Sequence, residues 1–426
     1  MLVNFTVKNC RSFKEERTFS MEAASIKEHK ESVINRNKYK LLPVAVFYGA
    51  NSSGKSNLLT SILSMKRIVI SDSERKPGQS LPYDPFALDE TSKTQPTFFE
   101  IQFIYKETLY RYGFEYNKVE IVSEWLYEKK FGEKEYELFI RSGEEIEVNE
   151  KRFLEGKLIK EQKVTPENRL FLSVVSQLNG EKSKLILEWF LYFNGLSGLD
   201  DKKYGNFTSK VFHNEKYSDI ANKAQEFFND LQLGFSEFSV VEKNIPQDLI
   251  EIMPKELKEL IKDNEDKAVM LYELTTHNIY NQESEKIGTA KFSKDKMESE
   301  GTKKVISLSG PIFDTLKRGG ILIVDELDAK LHPLLTRNIV LLFMDPEKNT
   351  NGAQLIFATH DTNLLDLAII RRDQIWFAEK DNVESTDIYS LVEFKDEEGK
   401  KVRNNCGIDI KCNYIKGRYG AIPFIK

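Results

Sequence analysis

The chain has 426 residues, 40% hydrophobic and 30% charged, with a net charge of −5 at neutral pH. This is the balance of a globular protein with room for roughly two or three domains or one composite one, and its sign excludes a global attraction to nucleic acid or anionic membranes. Three scattered cysteines, Cys10, Cys406 and Cys412, exclude a disulfide framework, and neither a signal-like apolar opening nor a stretch of roughly 20 apolar residues is present, so a cytoplasmic protein with no membrane partner is expected.

Residues 2–7 alternate in polarity as a half-buried strand does, and a second alternating segment lies near 17–22. The apolar run 43–48 predicts a buried strand and 57–63 a helix. Between them, Gly49-Ala50-Asn51-Ser52-Ser53-Gly54-Lys55-Ser56 fits the pattern G-x-x-x-x-G-K-[ST] at every fixed position. Its two glycines let the backbone turn tightly. The loop N–H groups and the helix N-terminus then face an anion. Lys55 is expected to reach the β- and γ-phosphates of a nucleotide and the Ser56 hydroxyl to hold Mg²⁺, with Asn51, Ser52, Ser53 and Asn57 completing the nucleotide-binding set.

A loop rich in Pro, Ser and Asp spans 71–96. Strand-like runs at 98–105, 108–116, 119–128 and 136–140, separated by short turns, predict an antiparallel meander. Residues 169–175 read as a further strand. From about 181 the spacing turns helical, at 182–193, 215–231 and, as a charged surface helix, 249–261. Residues 269–279 read as a strand, 282–298 as a mobile lysine-rich loop and 302–316 as a helix. No heptad pattern persists, so no long coiled coil is expected.

The run 320–326 is apolar and ends in two acids, as suits a central strand of a parallel sheet. Ligands gather at the carboxyl ends of such strands. Asp325 is placed to hold a Mg²⁺ water shell, and Glu326 to act as general base toward water. A third apolar run, 353–359, ends at His360-Asp361, and the histidine can sense a γ-phosphate through its ring N–H.

Together, Gly49 to Ser56, Asp325-Glu326-Leu327-Asp328-Ala329-Lys330-Leu331-His332-Pro333 and Ala358-Thr359-His360-Asp361 resemble the ABC-type ATPase heads of RecF, SMC and OLD-like proteins. The acid-acid-x-acid-x-x-Leu-His-Pro sequence is similar to the RecF/OLD side of that group. The resemblance implies an α/β fold with a mixed central sheet, an antiparallel β subdomain and an inserted helical lobe. It implies ATP and Mg²⁺ as cofactors, Glu326 as the catalytic glutamate, Asp328 as the aspartate of a loop crossing a dimer interface, and His360 as a switch histidine. The tail Tyr414-Ile415-Lys416-Gly417-Arg418-Tyr419-Gly420-Ala421-Ile422-Pro423 and the segment Asp373-Gln374-Ile375-Trp376-Phe377 resemble prokaryotic AAA-type ATP-binding proteins of the abortive-infection and phage-defence group. The plain reading of the tail is packing onto the sheet; the alternative is a contact with nucleic acid or a partner.

Heads of this type also need a signature motif that meets the γ-phosphate bound by the opposite subunit. Leu308-Ser309-Gly310 has the look of one, but Ser309 lies only 16 positions before Asp325 and inside the expected helix. Ser299-Glu300-Gly301-Thr302 lies at a helix start, where Ser299 and Thr302 can cap and Gly301 admits a phosphate. Gln177, after the β-rich part, is the candidate Mg²⁺-sensing glutamine. The expected division is 1–180 and 299–426 for the two parts of the head and 181–298 for a mostly helical insertion.

Three functional readings follow. One is a dimerising or higher-order ATPase acting as sensor or regulatory subunit of an anti-phage system, with a nuclease or toxin as separate effector. The others are a RecF-like DNA-repair ATPase, which would bind nucleic acid, and a slow-turnover ATP-dependent scaffold for a partner protein.

Overall fold

The computed structural model describes residues 1–245, 269–395 and 409–422; the helix expected over 249–261 lies outside the described residues. The chain divides into two compact units. One comprises Met1–Gly198, Thr315–Ala329 and Thr336–Lys426, and the other Leu199–Asp314 and Lys330–Leu335.

The first unit holds two sheets. Its six-stranded sheet runs in the order Phe193–Ser197, Ile321–Asp325, Gln354–Ala358, Val44–Tyr48, Ile375–Lys380 and Thr386–Ser390. The first five are parallel and the last is antiparallel to its neighbour. Continuous apolar runs suit strands covered on both faces, and every residue of Val44–Tyr48 and of Gln354–Ala358 is buried. The helix Lys55–Ser71 presses Leu58, Ile62, Met65 and Val69 onto the core at three- and four-residue spacing.

The seven-stranded sheet is antiparallel, in the order Glu145–Val148, Tyr136–Ser142, Ile121–Lys130, Thr108–Tyr116, Thr97–Tyr105, Leu2–Lys8 and Arg17–Ser20. This is the expected meander, extended by the two N-terminal strands. Phe19 meets Phe47 at 5.1 Å and Trp376 at 5.2 Å between ring centroids, both edge-on, so one aromatic core serves both sheets. The expected mixed central sheet and antiparallel β subdomain are both present.

Two expectations are corrected in this unit. Residues 169–175 do not form a strand; Phe171–Gln177 is a helix buried through Ser176. A helix without a polar face shows no helical period, so its apolar run reads as a strand. The buried Glu124 carboxylate accepts from Phe171 N at 2.6 Å and Leu172 N at 3.1 Å and so starts the helix. The helical stretch from 182 ends earlier than expected, at Phe190, and Phe193–Ser197 joins the central sheet beside Ile321–Asp325. That pairing is why residues 181–198 belong to the first unit and the insertion starts at Leu199.

The second unit contains the helices Asp201–His213 and Ser218–Asp230 and the sheet Glu237–Asn244, Val269–Tyr280, Lys286–Ser293. The expected mobile loop over 282–298 is instead the return strand Lys286–Ser293 and a short helix, Lys294–Met297. Lys286 and Lys291, both exposed on this edge strand, and the charged residues before it disguise it as a loop. The longest helix among the described residues is Glu300–Arg318, with 19 residues, and none is long and apolar enough to cross a membrane.

Candidate nucleotide site

The strands Ile321–Asp325, Gln354–Ala358 and Val44–Tyr48 are parallel neighbours. Their carboxyl ends therefore deliver Asp325, His360 and Gly49 side by side, with the helix Lys55–Ser71 starting at the same edge. Gly54, the residue before that helix, has φ 109°, a conformation that side chains disfavour, and a Cβ there would fall 2.1 Å from Thr386 Oγ1. Thr386 Oγ1 donates to Ser53 O at 2.9 Å and lies 2.8 Å from Ser12 Oγ, which also accepts from Asn57 Nδ2 at 2.8 Å. Asn51 and Ser52 are exposed at the loop tip, and Ser53 is buried.

Lys55 Nζ donates to Gly49 O at 2.8 Å and Ala50 O at 3.0 Å, so the ammonium lies within the loop's own concavity. Burial pushes Lys55 below the usual lysine range, while the charges of Asp325, Glu326 and Asp328 pull it back up. The three acids are thus electrostatic neighbours of the lysine. Ser56 Oγ donates to Asp325 Oδ1 at 3.1 Å. A hydroxyl and a carboxylate facing each other offer only oxygen, the donor set of a hard cation such as Mg²⁺, which keeps water and substrate phosphate on its remaining positions. Among the described residues no three His, Cys, Asp or Glu side chains group around a metal position.

Glu326 has φ 55°, a left-handed conformation costly for a residue with a side chain. Its neighbourhood fixes it there. Gly198 N donates to Asp325 O at 2.7 Å, Leu327 N to Ala358 O at 3.2 Å and Ala329 N to Glu326 O at 3.2 Å. Asp328 Oδ2 accepts from His360 N at 3.3 Å, which ties the acid loop to the histidine turn. Ser53 Oγ, Asp328 Oδ1 and Asp361 Oδ2 are buried without a protein partner. Orphaned oxygens around one loop suit a site built for polar ligand groups.

Gln177 is not part of this constellation, contrary to expectation. Its side chain donates to Ser73 O at 3.1 Å and accepts from Arg169 at 2.8 Å. Ser73 lies beyond the far end of the helix that begins at Lys55, about 25 Å from its start. The glutamine fastens its own helix to that end.

In the second unit, Ser299 caps Glu300–Arg318 as expected, accepting from Thr302 N at 3.2 Å, with Ser299 Oγ and Thr302 Oγ1 2.9 Å apart. A Cβ on Gly301 would lie 3.0 Å from Lys330 O. Leu308-Ser309-Gly310, by contrast, is buried mid-helix; Ser309 Oγ donates to Ile306 O, and Gly310 packs against Thr208.

Sequence reasoning missed Gly198, Ser12 and Thr386. None belongs to a motif, and only chain topology brings them to the loop. The tail takes its plain reading among the described residues, packing onto the sheet through Tyr414 and Tyr419 against Phe377.

Residues 44–366, from the phosphate-loop strand to just past His360, match the family described as "AAA domain, putative AbiEii toxin, Type IV TA system". Among solved structures the chain is similar to an SMC head bound to the C-winged helix domain of ScpA, at 13% identity over 91% of this chain and 97% of that one, with a TM-score of 0.47. It is also similar to the SMC head domain from Thermotoga maritima, at 12% identity over 91% and 98%, TM-score 0.41. A third likeness is to an Smc head domain with an extended coiled coil bound to the C-terminal domain of ScpA derived from Pyrococcus furiosus, at 12% identity over 91% and 96%, TM-score 0.37. No curated protein matches significantly. The match spans about three quarters of the chain, and it starts at the strand before the phosphate loop and ends just past the His360 turn: the chain belongs to this AAA-domain family.

Proposed function

We propose that the chain binds and hydrolyses ATP with Mg²⁺ as one half of a dimeric head, and that it is the sensor or regulatory subunit of an anti-phage abortive-infection system whose effector, a nuclease or toxin, is a separate chain. The observation that carries this reading is the meeting of Ser56 and Asp325, 3.1 Å apart, beside Lys55 and three carboxylates. The family's description by a putative AbiEii toxin and a type IV toxin–antitoxin system supports the regulatory part.

In this reading the loop N–H groups and Lys55 hold the β- and γ-phosphates. Ser56 and Asp325 hold Mg²⁺, which neutralises phosphate charge when bound. Glu326 takes a proton from the attacking water. His360 donates a hydrogen bond toward the γ-phosphate, and its backbone link to Asp328 passes that contact to the acid loop. Ser299–Thr302 of a second copy presents its capped helix start to the same phosphate. Neither copy is then competent alone, so ATP binding is a clamp and hydrolysis its release.

The test is ATP turnover of Glu326→Gln. The variant is expected to bind ATP like the wild type and to lose hydrolysis by about a hundredfold or more. Undiminished hydrolysis would remove Glu326 from the mechanism.

A further inference from the structure

The C-terminal motif plays no part in the reaction above, yet its attachments converge on the nucleotide site. The helix Ile410–Ile415 is capped by Asp409, which accepts from Cys412 N at 2.7 Å. Tyr414 packs against Tyr48, with ring centroids 5.7 Å apart, and stacks on Phe377 at 5.5 Å and 19°. Tyr48 is the residue immediately before Gly49, so the ring braces the entry to the phosphate loop. The Tyr414 hydroxyl donates to Ala421 O at 3.2 Å. Burial pushes that phenol up, partly offset by the backbone at Gly49.

One turn earlier, Lys411 Nζ donates to Asn363 Oδ1 at 2.6 Å. Asn363 belongs to the turn directly after His360, where its own N–H and side chain bond to Asp361 Oδ1. The Asp361 carbonyl accepts from Tyr48 OH at 2.9 Å. Tyr48, the His360 turn and the tail helix thus close a ring of contacts. The far end of the segment is fastened to the sheet edge. Tyr389 OH donates to Tyr419 O at 2.6 Å and Ala421 N to Glu379 Oε2 at 3.0 Å.

We infer that residues 409–422 form a clasp that positions the nucleotide site, with Tyr414 holding the phosphate-loop entry and Lys411 holding the His360 turn. Both are positioning residues, since they act through Tyr48 and Asn363. The clasp holds the entry to the phosphate loop and the turn that carries the switch histidine at two separate points, Tyr414 for the loop and Lys411 for the turn. This rests on the reading of Gly49–Ser56 as an ATP site.

The experiment compares full-length Tyr414→Ala, Tyr414→Phe, Lys411→Ala, Tyr419→Ala and Lys55→Ala by equilibrium binding of a fluorescent ATP analogue, steady-state ATPase kinetics and thermal melting. Tyr414→Ala is expected to weaken nucleotide binding about three- to tenfold, and Tyr414→Phe, which keeps the ring, to stay within about twofold of wild type. Lys411→Ala is expected to lower kcat about threefold with KM unchanged, because it loosens the histidine turn rather than the loop. Tyr419→Ala removes a ring 5.9 Å from the same Phe377 and is expected to lower the melting temperature without altering nucleotide affinity. If Tyr414→Ala does not fold, Tyr414→Leu replaces it, filling volume without stacking. Equal effects of Tyr414→Ala and Tyr419→Ala on nucleotide affinity, or none from either, overturn the clasp. Lys55→Ala separates the two ideas. Wild-type binding that Lys55→Ala abolishes secures the ATP site, so a failed clasp is then its own failure; a wild type that binds no ATP overturns both.

Discussion

Replacing Gly198 by alanine should disable hydrolysis while sparing nucleotide binding. A Cβ at this position would lie 1.8 Å from the Glu326 carbonyl oxygen, 2.7 Å from its carbonyl carbon and 3.0 Å from Asp325 O. Non-bonded carbon contacts are comfortable only near ~3.5 Å, so the Glu326 peptide must retreat by roughly 1.5 Å. All three atoms are backbone, and no rotamer change relieves the clash. Nor can the glycine segment slide away, because Phe193–Ser197 is paired residue for residue with Ile321–Asp325 and Gly198 N is bonded to Asp325 O. Displacing a catalytic group by about 1 Å costs on the order of a hundredfold in rate, or about 2.7 kcal/mol of barrier. The strand before Gly198 meets the phosphate-loop helix at Leu63 and Lys66, two to three turns beyond Lys55, so the ATP dissociation constant should stay within about threefold of wild type, well under 1 kcal/mol. Single-turnover hydrolysis and equilibrium ATP binding on the same folded preparation read the two effects apart. A folded Gly198→Ala chain that cleaves ATP at the wild-type rate would refute the assignment of Glu326 and the geometry behind it.

Glu124 carries a pH signature. Burial raises its carboxyl from 4.5 to about 7 in the folded chain. The folded state therefore keeps a proton that the unfolded state releases; the stabilisation is complete below about pH 4.5 and is lost as pH rises through about 7, on the order of 3 kcal/mol in all. Denaturant titrations at several pH values should show that fall in the wild type and a flatter profile in Glu124→Gln. Thr386→Val removes the hydroxyl that bonds Ser53 O and Ser12 Oγ, and should weaken ATP binding about three- to tenfold in a direct binding assay. Ser299→Ala should lose about 1 kcal/mol of helix stability and also ATP-dependent self-association. Gly310→Ala, whose Cβ would meet Thr208 Oγ1 at 2.5 Å, should cost about 1–3 kcal/mol of stability and leave self-association intact once folded. Loss of association in folded Gly310→Ala with none in Ser299→Ala would return the signature to the Leu308–Gly310 sequence.

The nucleotide side of the site was legible because it is written in contiguous residues. The phosphate loop, the acid pair after an apolar strand and the histidine after another each specify a strand end, and parallel pairing then brings the ends together. What escaped depends on long-range packing. The helix Phe171–Gln177 shows no polar face because it is buried through Ser176 and started by a carboxylate 47 positions away, at Glu124. Gln177 follows apolar residues as a sensing glutamine would, but the helix directs it to Ser73. Phe193–Ser197 joins the central sheet on the strength of a partner more than a hundred residues distant, and no local pattern announces it. The tail was recognisable as a motif, while its meaning lay in what Tyr414 and Lys411 touch.

Two copies of the chain are proposed to share triphosphate between them, and sedimentation of Glu326→Gln with and without ATP and Mg²⁺ tests it. Monomers are expected without nucleotide, a stable dimer with ATP, and return to monomer when Ser299→Ala is added. A Glu326→Gln chain that binds ATP to saturation and sediments as a monomer throughout would contradict it.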